Sequence, residues 1–414
     1  MTMKRVGVSV AIAAAILIAE YFVGNWVGFL FDDSSMLSIM MSMLPDQEDE
    51  DNDEVEYINV AYDKELVDVR VQNMNSARGW DSIGSAVGTS RQTLLKILDI
   101  AEKSNYRYLF LDVRFEKGFE SEMDSILFAK IKSMRNVVVS THKESDDYEI
   151  ADRSLLKHAG YADYMTTYFS GFTKYSYLQN DSISVALKMF GDMDGGDIKR
   201  VGPFFFSNGR LCNNLQFLTF SSDDINLRHP AFEGETLKIY DEKDIAERMN
   251  GRIVVVGDMV NDVHTTYAGR VAGPVLNVRA YQALAKGRHI VDWRLVLFLL
   301  AVYGVCAYLI LYSGSLEIPE RLRKKLLHHP LIVFILLNFG WSIVMFIIKL
   351  VVFRKFGASV IIIIPAFIFS LLSMPKEYAE FKKNRNIFSE SKSKADEDTQ
   401  DITTISENTP TSYE

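Results

Sequence analysis

The chain reads as an α/β domain, built on a mainly parallel sheet with helices on both faces, joined to α-helical membrane spans, one N-terminal and three C-terminal. Three observations predict this. Charged residues make up 24% of the 414 positions, yet they are nearly absent from four long windows. Four short runs, EYINVAYD (56–63), YRYLFLDVRF (106–115), RNVVVSTH (135–142) and RIVVVGDM (252–259), are strongly apolar at their centres. Runs this apolar suit strands covered on both faces, as in parallel sheets with crossover helices. Amphipathic helical patterns stand between the first three runs.

The first apolar window, Val6 to Leu30, spans 25 residues and follows Lys4 and Arg5. At 1.5 Å per residue it is long enough for a hydrocarbon core of about 30 Å. A cleaved signal peptide needs a short apolar core and then small residues. Here the run continues through Tyr21, Phe22, Trp26 and Phe29, which predicts an uncleaved signal anchor. Three further spans are predicted at 294–312, 330–353 and 358–374, the last being short.

Lys and Arg near span ends resist translocation and so set orientation. With the N-terminus inside, the inner segments carry Lys4, Arg5, Arg321, Arg323, Lys324, Lys325, Lys376, Lys382, Lys383 and Arg385. The outer segments carry fewer, at Lys286, Arg288, Arg294, Arg354 and Lys355. Both termini are therefore expected in the cytoplasm and residues 31–293 outside it, with the spans in the inner (cytoplasmic) membrane. Residues 31–56 form an acidic linker, with neither the glycine nor the spaced ligands of a calcium loop. Residues 375–414 are polar and read as a disordered cytoplasmic tail. At that length the tail is also too short for an enzymatic output domain.

The soluble domain occupies residues 57–293. Ser90 opens SRQTLLKILDIAEKSN, a helix with Leu94, Leu95, Leu98 and Ala101 on one face. SEMDSILFAKIKSM (121–134) is a second helix. The turn Asp192 to Asp197 has spaced aspartates and glycines but no following bidentate glutamate, and reads as a hairpin rather than a calcium site.

These segments resemble the second type of CHASE domain, an extracytoplasmic sensory module of bacterial signalling proteins. The likeness lies in GTSRQTLLKIL with Arg91, in YLFLDVRF with Asp112 and Phe115, and in Asp124 of the next helix. It continues in GDMDGGDIKRVGPFF, on Asp192, Asp194, Gly195 and Arg200. The strongest stretch runs from Gly251 to Ile290, with Val256, Gly257, Asp262, His264, Thr265, Gly273 and Ala280. The tryptophan-proline-tryptophan lead-in of the family is missing, with Trp80 near its place, and Thr266 stands where proline is usual. The resemblance implies a sensory domain between one span and three.

In open α/β sheets, ligands sit beyond the carboxyl ends of the strands. The ligand-binding candidates there are Asp63, Asp112, Arg114, Asn261, Asp262 and His264, with His142 and Asp258 close in the same loops. The same residue types also cap helices and fix loops, so each has a structural reading beside the functional one. No metal site and no particular cofactor is indicated. The chain has no G-x-S-x-G, no H-E-x-x-H and no P-loop. Cys212 has no neighbouring base in sequence, and Cys306 lies inside an apolar run. A net charge of −9 argues against a nucleic-acid partner.

The expected function is thus a membrane-anchored, non-enzymatic sensor that binds a small ligand or envelope component. It would signal through a separate cytoplasmic or membrane partner, alone or as a homo-oligomer. The alternatives are a scaffolding envelope protein and, more remotely, an extracytoplasmic hydrolase.

Overall fold

The computed structural model describes residues 2–26, 54–72, 80–144, 147–148, 150–163, 171–172, 174–179, 182–221, 224–225, 232–234, 237, 239–313, 330–356 and 361–375. The predicted acidic linker up to residue 53 and the predicted tail from 376 lie outside them. The chain divides into two compact units: residues 1–20 with 293–414, and Tyr21–Asp292.

In chain order the first elements are α1 (Thr2–Trp26), β1 (Val55–Asn59), the long hairpin β2 (Lys64–Gln72) and β3 (Trp80–Thr89), α2 (Arg91–Lys103), β4 (Tyr108–Asp112), β5 (Phe119–Glu120), α3 (Asp124–Ser133), β6 (Val137–Thr141) and β7 (Ala159–Tyr161). There follow α4 (Val185–Asp194), a three-stranded meander of β8 (Lys199–Val201), β9 (Phe204–Ser207) and β10 (Arg210–Cys212), then β11 (Phe232–Glu233), α5 (Glu242–Met249) and β12 (Ile253–Gly257). A small hairpin, β13 (Val263–Thr265) and β14 (Arg270–Ala272), leads into α6 (Gly273–Ala285). The other unit adds the apolar helices α7 (Trp293–Tyr308), α8 (Pro330–Phe356) and α9 (Ile363–Pro375).

The core is a six-stranded sheet in the order β11-β1-β12-β4-β6-β7. All five pairings are parallel. Successive strand residues point to opposite faces. Ile58, Leu109, Leu111, Val137, Val139, Val254 and Val256 meet Leu94 and Leu98 of α2, Leu127 and Ile131 of α3, and Ile245 and Met249 of α5. The alternate residues Tyr108, Phe110, Val138 and Val255 are also buried, on the side covered by α4 and α6. Each such side chain contributes about 1.5–3 kcal/mol on burial. The four apolar runs are therefore strands for the reason expected: they have no wet face.

Helix starts follow the sequence closely. Ser90 Oγ accepts from Thr93 N at 3.3 Å to cap α2, and Ser184 Oγ accepts from Leu187 N at 3.2 Å to cap α4. EYINVAYD forms a strand only to Asn59, whose Oδ1 accepts from Ala61 N at 3.1 Å and turns the chain. The segment Asp192 to Asp197 is not a hairpin. Helix α4 runs into it and ends on Gly195, which takes φ 65° and donates its N–H to Phe190 O. A left-handed C-cap and a hairpin turn make the same demand on glycine, so composition alone does not separate them.

Among the described residues, three helices are long and apolar enough to cross a membrane: Met3–Trp26, Trp293–Tyr312 and Leu331–Phe356. The fourth expected span is a shorter apolar helix, Ile363–Pro375. Glu20 and Lys349 are ionisable residues within these apolar helices. Glu20 Oε1 accepts from Tyr303 Oη at 3.0 Å, and Lys349 is fully buried. Trp341 stacks on Phe369 at 5.1 Å and donates to Ser373 Oγ at 3.3 Å.

Candidate functional site

Strand register builds the site. Asn59 pairs with Gly257 and Gly257 with Asp112, so these three form one row at the carboxyl edge of the sheet. The Asp112 carboxylate accepts from Ser140 Oγ at the end of β6. Beyond β12 the chain folds back as the β13–β14 hairpin, and Gly273 N donates to Asp262 O at 2.8 Å. A Cβ on Gly273 would collide with the Asp262 carboxylate, and one on Gly257 with the Pro274 ring and Asp112 Cβ. Two glycines thus let the end of β12 and the start of α6 close around the two aspartates. No side chain caps α6.

Two imidazoles complete the cluster. His264 Nε2 lies 3.1 Å from Asp262 Oδ1. His142, the first residue past β6, meets the carboxylate of Asp163 through Nδ1. Burial, and after it the charge of Asp262, pushes the Asp112 carboxyl up to about 7, against the pull of Ser140, His142 and His264. The hydrogen bond that His142 makes to the Asp163 carboxylate raises its imidazole above the ordinary value, with burial opposing. The edge therefore holds a carboxyl poised near neutrality between an acid and two imidazoles, suited to accept hydrogen bonds from a cationic or hydroxyl-bearing group and to exchange a proton as it does so.

The other expected site residues have different partners. Asp63 Oδ1 accepts from Thr93 Oγ1 at 3.2 Å, and its carbonyl accepts from Ser90 N at 2.8 Å, so it braces the start of α2. Asn261 donates through Nδ2 to Asp258 Oδ2 at 3.0 Å and through its backbone N to Asp258 Oδ1 at 2.7 Å. Burial would raise the Asp258 carboxyl, but these bonds, one from Val260 N and the charge of Lys64 hold it below its ordinary value. Arg114 is exposed and paired with Glu116, close enough to His142 to disfavour its charge. Asp112, Asp262 and His264 are thus brought together, Arg114 stands at the rim, and Asp63 and Asn261 serve their own loops. Ser140 and Asp163 were not among the expected residues. Ser140 was legible as the polar end of VVVST; Asp163 follows β7, a three-residue strand with no pattern of its own.

Comparison with family models, with curated proteins and with solved structures finds no match.

Helix α6 starts at this cluster and runs 13 residues, about 20 Å, away from it. The segment after it pairs with the meander: Asn213 N donates to His289 O at 2.7 Å, and Val291 N to Leu211 O at 3.0 Å. The same meander holds the end of α1. Tyr21 Oη donates to Cys212 O at 3.0 Å and accepts from Phe205 N at 3.1 Å, while Asn25 Oδ1 accepts from Asn214 N at 2.6 Å. One β-meander thus clasps the helix by which the chain enters the unit and the segment by which it leaves. Cys212 is buried there, and burial, then Asp197, pushes its thiol up to about 12, the reverse of an activated nucleophile.

Proposed function

We propose that this protein is a membrane-anchored extracytoplasmic sensor of the CHASE type that binds a small cationic or hydroxyl-bearing ligand at the carboxyl edge of its sheet and has no catalytic activity of its own. The observation that carries the reading is α6, whose first residues lie against Asp112 and Asp262 and whose exit pairs with the meander holding Tyr21 and Asn25. A ligand that prefers one arrangement of the cluster would move α6 as a rod and change the clasp at its far end. It does so only as far as its affinity differs between the two arrangements. The change then passes to a separate cytoplasmic or membrane partner, or through a second copy of this chain.

Ser140 donates to Asp112 and not to His142, so Ser140, His142 and Asp163 do not form a nucleophile–base relay. This favours binding over hydrolysis. The excess of Lys and Arg in the segments assigned inside supports the domain lying outside the cytoplasm.

The test uses the full chain in detergent against a panel of amines and polyols. A hit raises the melting temperature of the wild type and fails to do so for Asp112→Asn and His264→Ala, each of which still unfolds cooperatively without ligand. If both variants unfold instead, the residues are structural and the scaffolding reading replaces this one. Reporter fusions after residues 200 and 390 should read outside and inside respectively.

A further inference from the structure

The β8–β9 hairpin presents a turn, Val201-Gly202-Pro203-Phe204, that a water-facing loop does not need. Val201 is 60% exposed and Phe204 38%, with basic Lys199 and Arg200 just before them. Gly202 at φ 60° closes the turn so that no polar side chain stands between the two apolar ones.

Its neighbour fixes its surroundings. Phe204 packs on Phe22 with ring centroids 5.4 Å apart and on Tyr21 at 5.9 Å. Trp26 donates through Nε1 to Pro203 O at 3.2 Å and lies 5.8 Å from the Phe205 ring. All three partners belong to the last two turns of α1, a helix long and apolar enough to cross a membrane. From Arg5 to Trp26 the helix rises about 32 Å, close to the hydrocarbon thickness of about 30 Å. With Arg5 at one headgroup layer, Trp26 falls at the other, and Phe22 about 6 Å beneath it. A side chain stacked on Phe22 shares its depth.

We propose that the hairpin tip Val201–Phe204 is seated in the membrane interface beside α1, with Val201 and Phe204 against lipid and Arg200 at the headgroup phosphates. Arg200 lies over the Trp26 ring, 4.4 Å from its centroid, and donates to Gly202 O at 3.1 Å, which aims an aromatic and a cation at the same layer. Tryptophan and arginine at one level, with apolar groups below, is the composition of an interfacial anchor. Lys199 is held to Asp197 at 2.6 Å and adds a second cation at the edge. The meander that clasps both chain segments thereby also rests on the bilayer, so lipid composition becomes an input to the clasp. The inference needs α1 to cross the bilayer and does not depend on any ligand.

The experiment places the photocrosslinker p-benzoylphenylalanine singly at Val201, at lipid-facing Ile18 of α1 and at exposed Ile239, in the otherwise unaltered full chain. The protein is reconstituted in phosphatidylethanolamine–phosphatidylglycerol vesicles, irradiated, and read by intact mass. Lipid adducts at positions 18 and 201, several-fold above those at 239, are expected. Adducts at 18 with none above the 239 level at 201, or chain-to-chain crosslinks at 201 in place of lipid ones, overturn the proposal. Absence of adducts at 18 overturns it together with the spanning assignment of α1. Replacement of Phe204, aromatic for aromatic, supplies the same reading if the Val201 variant does not accumulate.

Discussion

Arg91 Nε donates to Asp124 Oδ1 at 2.9 Å in the buried seam between α2 and α3. The guanidinium also donates through Nη1 to Thr89 O at 2.8 Å and lies over the Phe115 ring at 5.4 Å. Asp124 Oδ2 accepts in turn from Ser121 N at 2.8 Å. Three of the positions that carry the sequence resemblance, Arg91, Phe115 and Asp124, are thus one contact, and its role is to join two helices. Removing one partner strands a buried charge, at a cost of about 3–5 kcal/mol, whereas replacing both with apolar groups is often close to neutral. Arg91→Met should lower the melting temperature sharply, and Arg91→Met with Asp124→Leu should recover most of the loss. A double variant as unstable as the sum of the singles would show the pair to be uncoupled.

The elements legible in sequence are those whose pattern is imposed by burial on both sides. Val137–Thr141 and Ile253–Gly257 are buried along their whole length because helices cover both faces, and Ser90 marks its helix because the capping oxygen is local in sequence. The meander at 199–212 was not legible. Its strands are three or four residues long, and what orders them is contact with Tyr21 and Asn25, 184 and 189 positions away in Phe205 and Asn214. The site divided in the same way. Asp112, Asp262 and Asp63 all follow from the strand-end rule, whereas the bond from Thr93 to Asp63 depends on how α2 packs and has no local signal.

Asp112 should give the unit Tyr21–Asp292 an acid-side preference. Its folded carboxyl is pushed up to about 7 by burial and then by Asp262, from an ordinary value of 3.8. A raised folded value gives stability that is fully present below the unfolded value and lost as pH rises through the folded one. Between about pH 4 and 8 the wild type should lose stability relative to Asp112→Asn, by roughly 1–4 kcal/mol. Melting curves of both proteins across that range check it, and parallel pH profiles would mean that Asp112 is ionised at little cost.

Gly257 and Gly273 should tolerate no side chain. Alanine at 273 places a methyl group on the Asp262 carboxylate, and at 257 on Pro274 and Asp112. Overpacking of this kind costs about 1–3 kcal/mol. Gly273→Ala should displace Asp262 and so bring the Asp112 carboxyl down toward its ordinary range, since Asp262 is the second cause of its rise. A carboxyl titration followed by infrared difference spectroscopy, compared between wild type and Gly273→Ala, reads this directly. An unmoved titration would mean that Asp262 does not bear on Asp112.

The clasp should open in acid. His289 is buried with its ring edge-on to Phe190 at 5.6 Å and Tyr177 at 6.5 Å, and its Nε2 lies 3.0 Å from Ser207 Oγ. Burial, then the charge of Arg210, lowers its imidazole from 6.5 to about 4. A depressed folded value in a histidine means that the neutral ring is the one the fold accepts. The associated stability is present above about 6.5 and is lost as pH falls through about 4, by up to about 3 kcal/mol. The backbone of the same residue accepts the Asn213 amide, and its neighbour Ile290 pairs with Cys212, so the loss falls on the segment that leads out of the unit. Hydrogen exchange of residues 205–213 and 289–291 should accelerate between pH 6.5 and 4.5, beyond the intrinsic pH dependence of exchange, while that of β4 and β12 does not. His289→Gln keeps a hydrogen-bonding group for Ser207 and cannot titrate, so its exchange in this segment should be level across the range. If the wild type and His289→Gln respond alike to acid, the opening is driven elsewhere and His289 is a packing residue only.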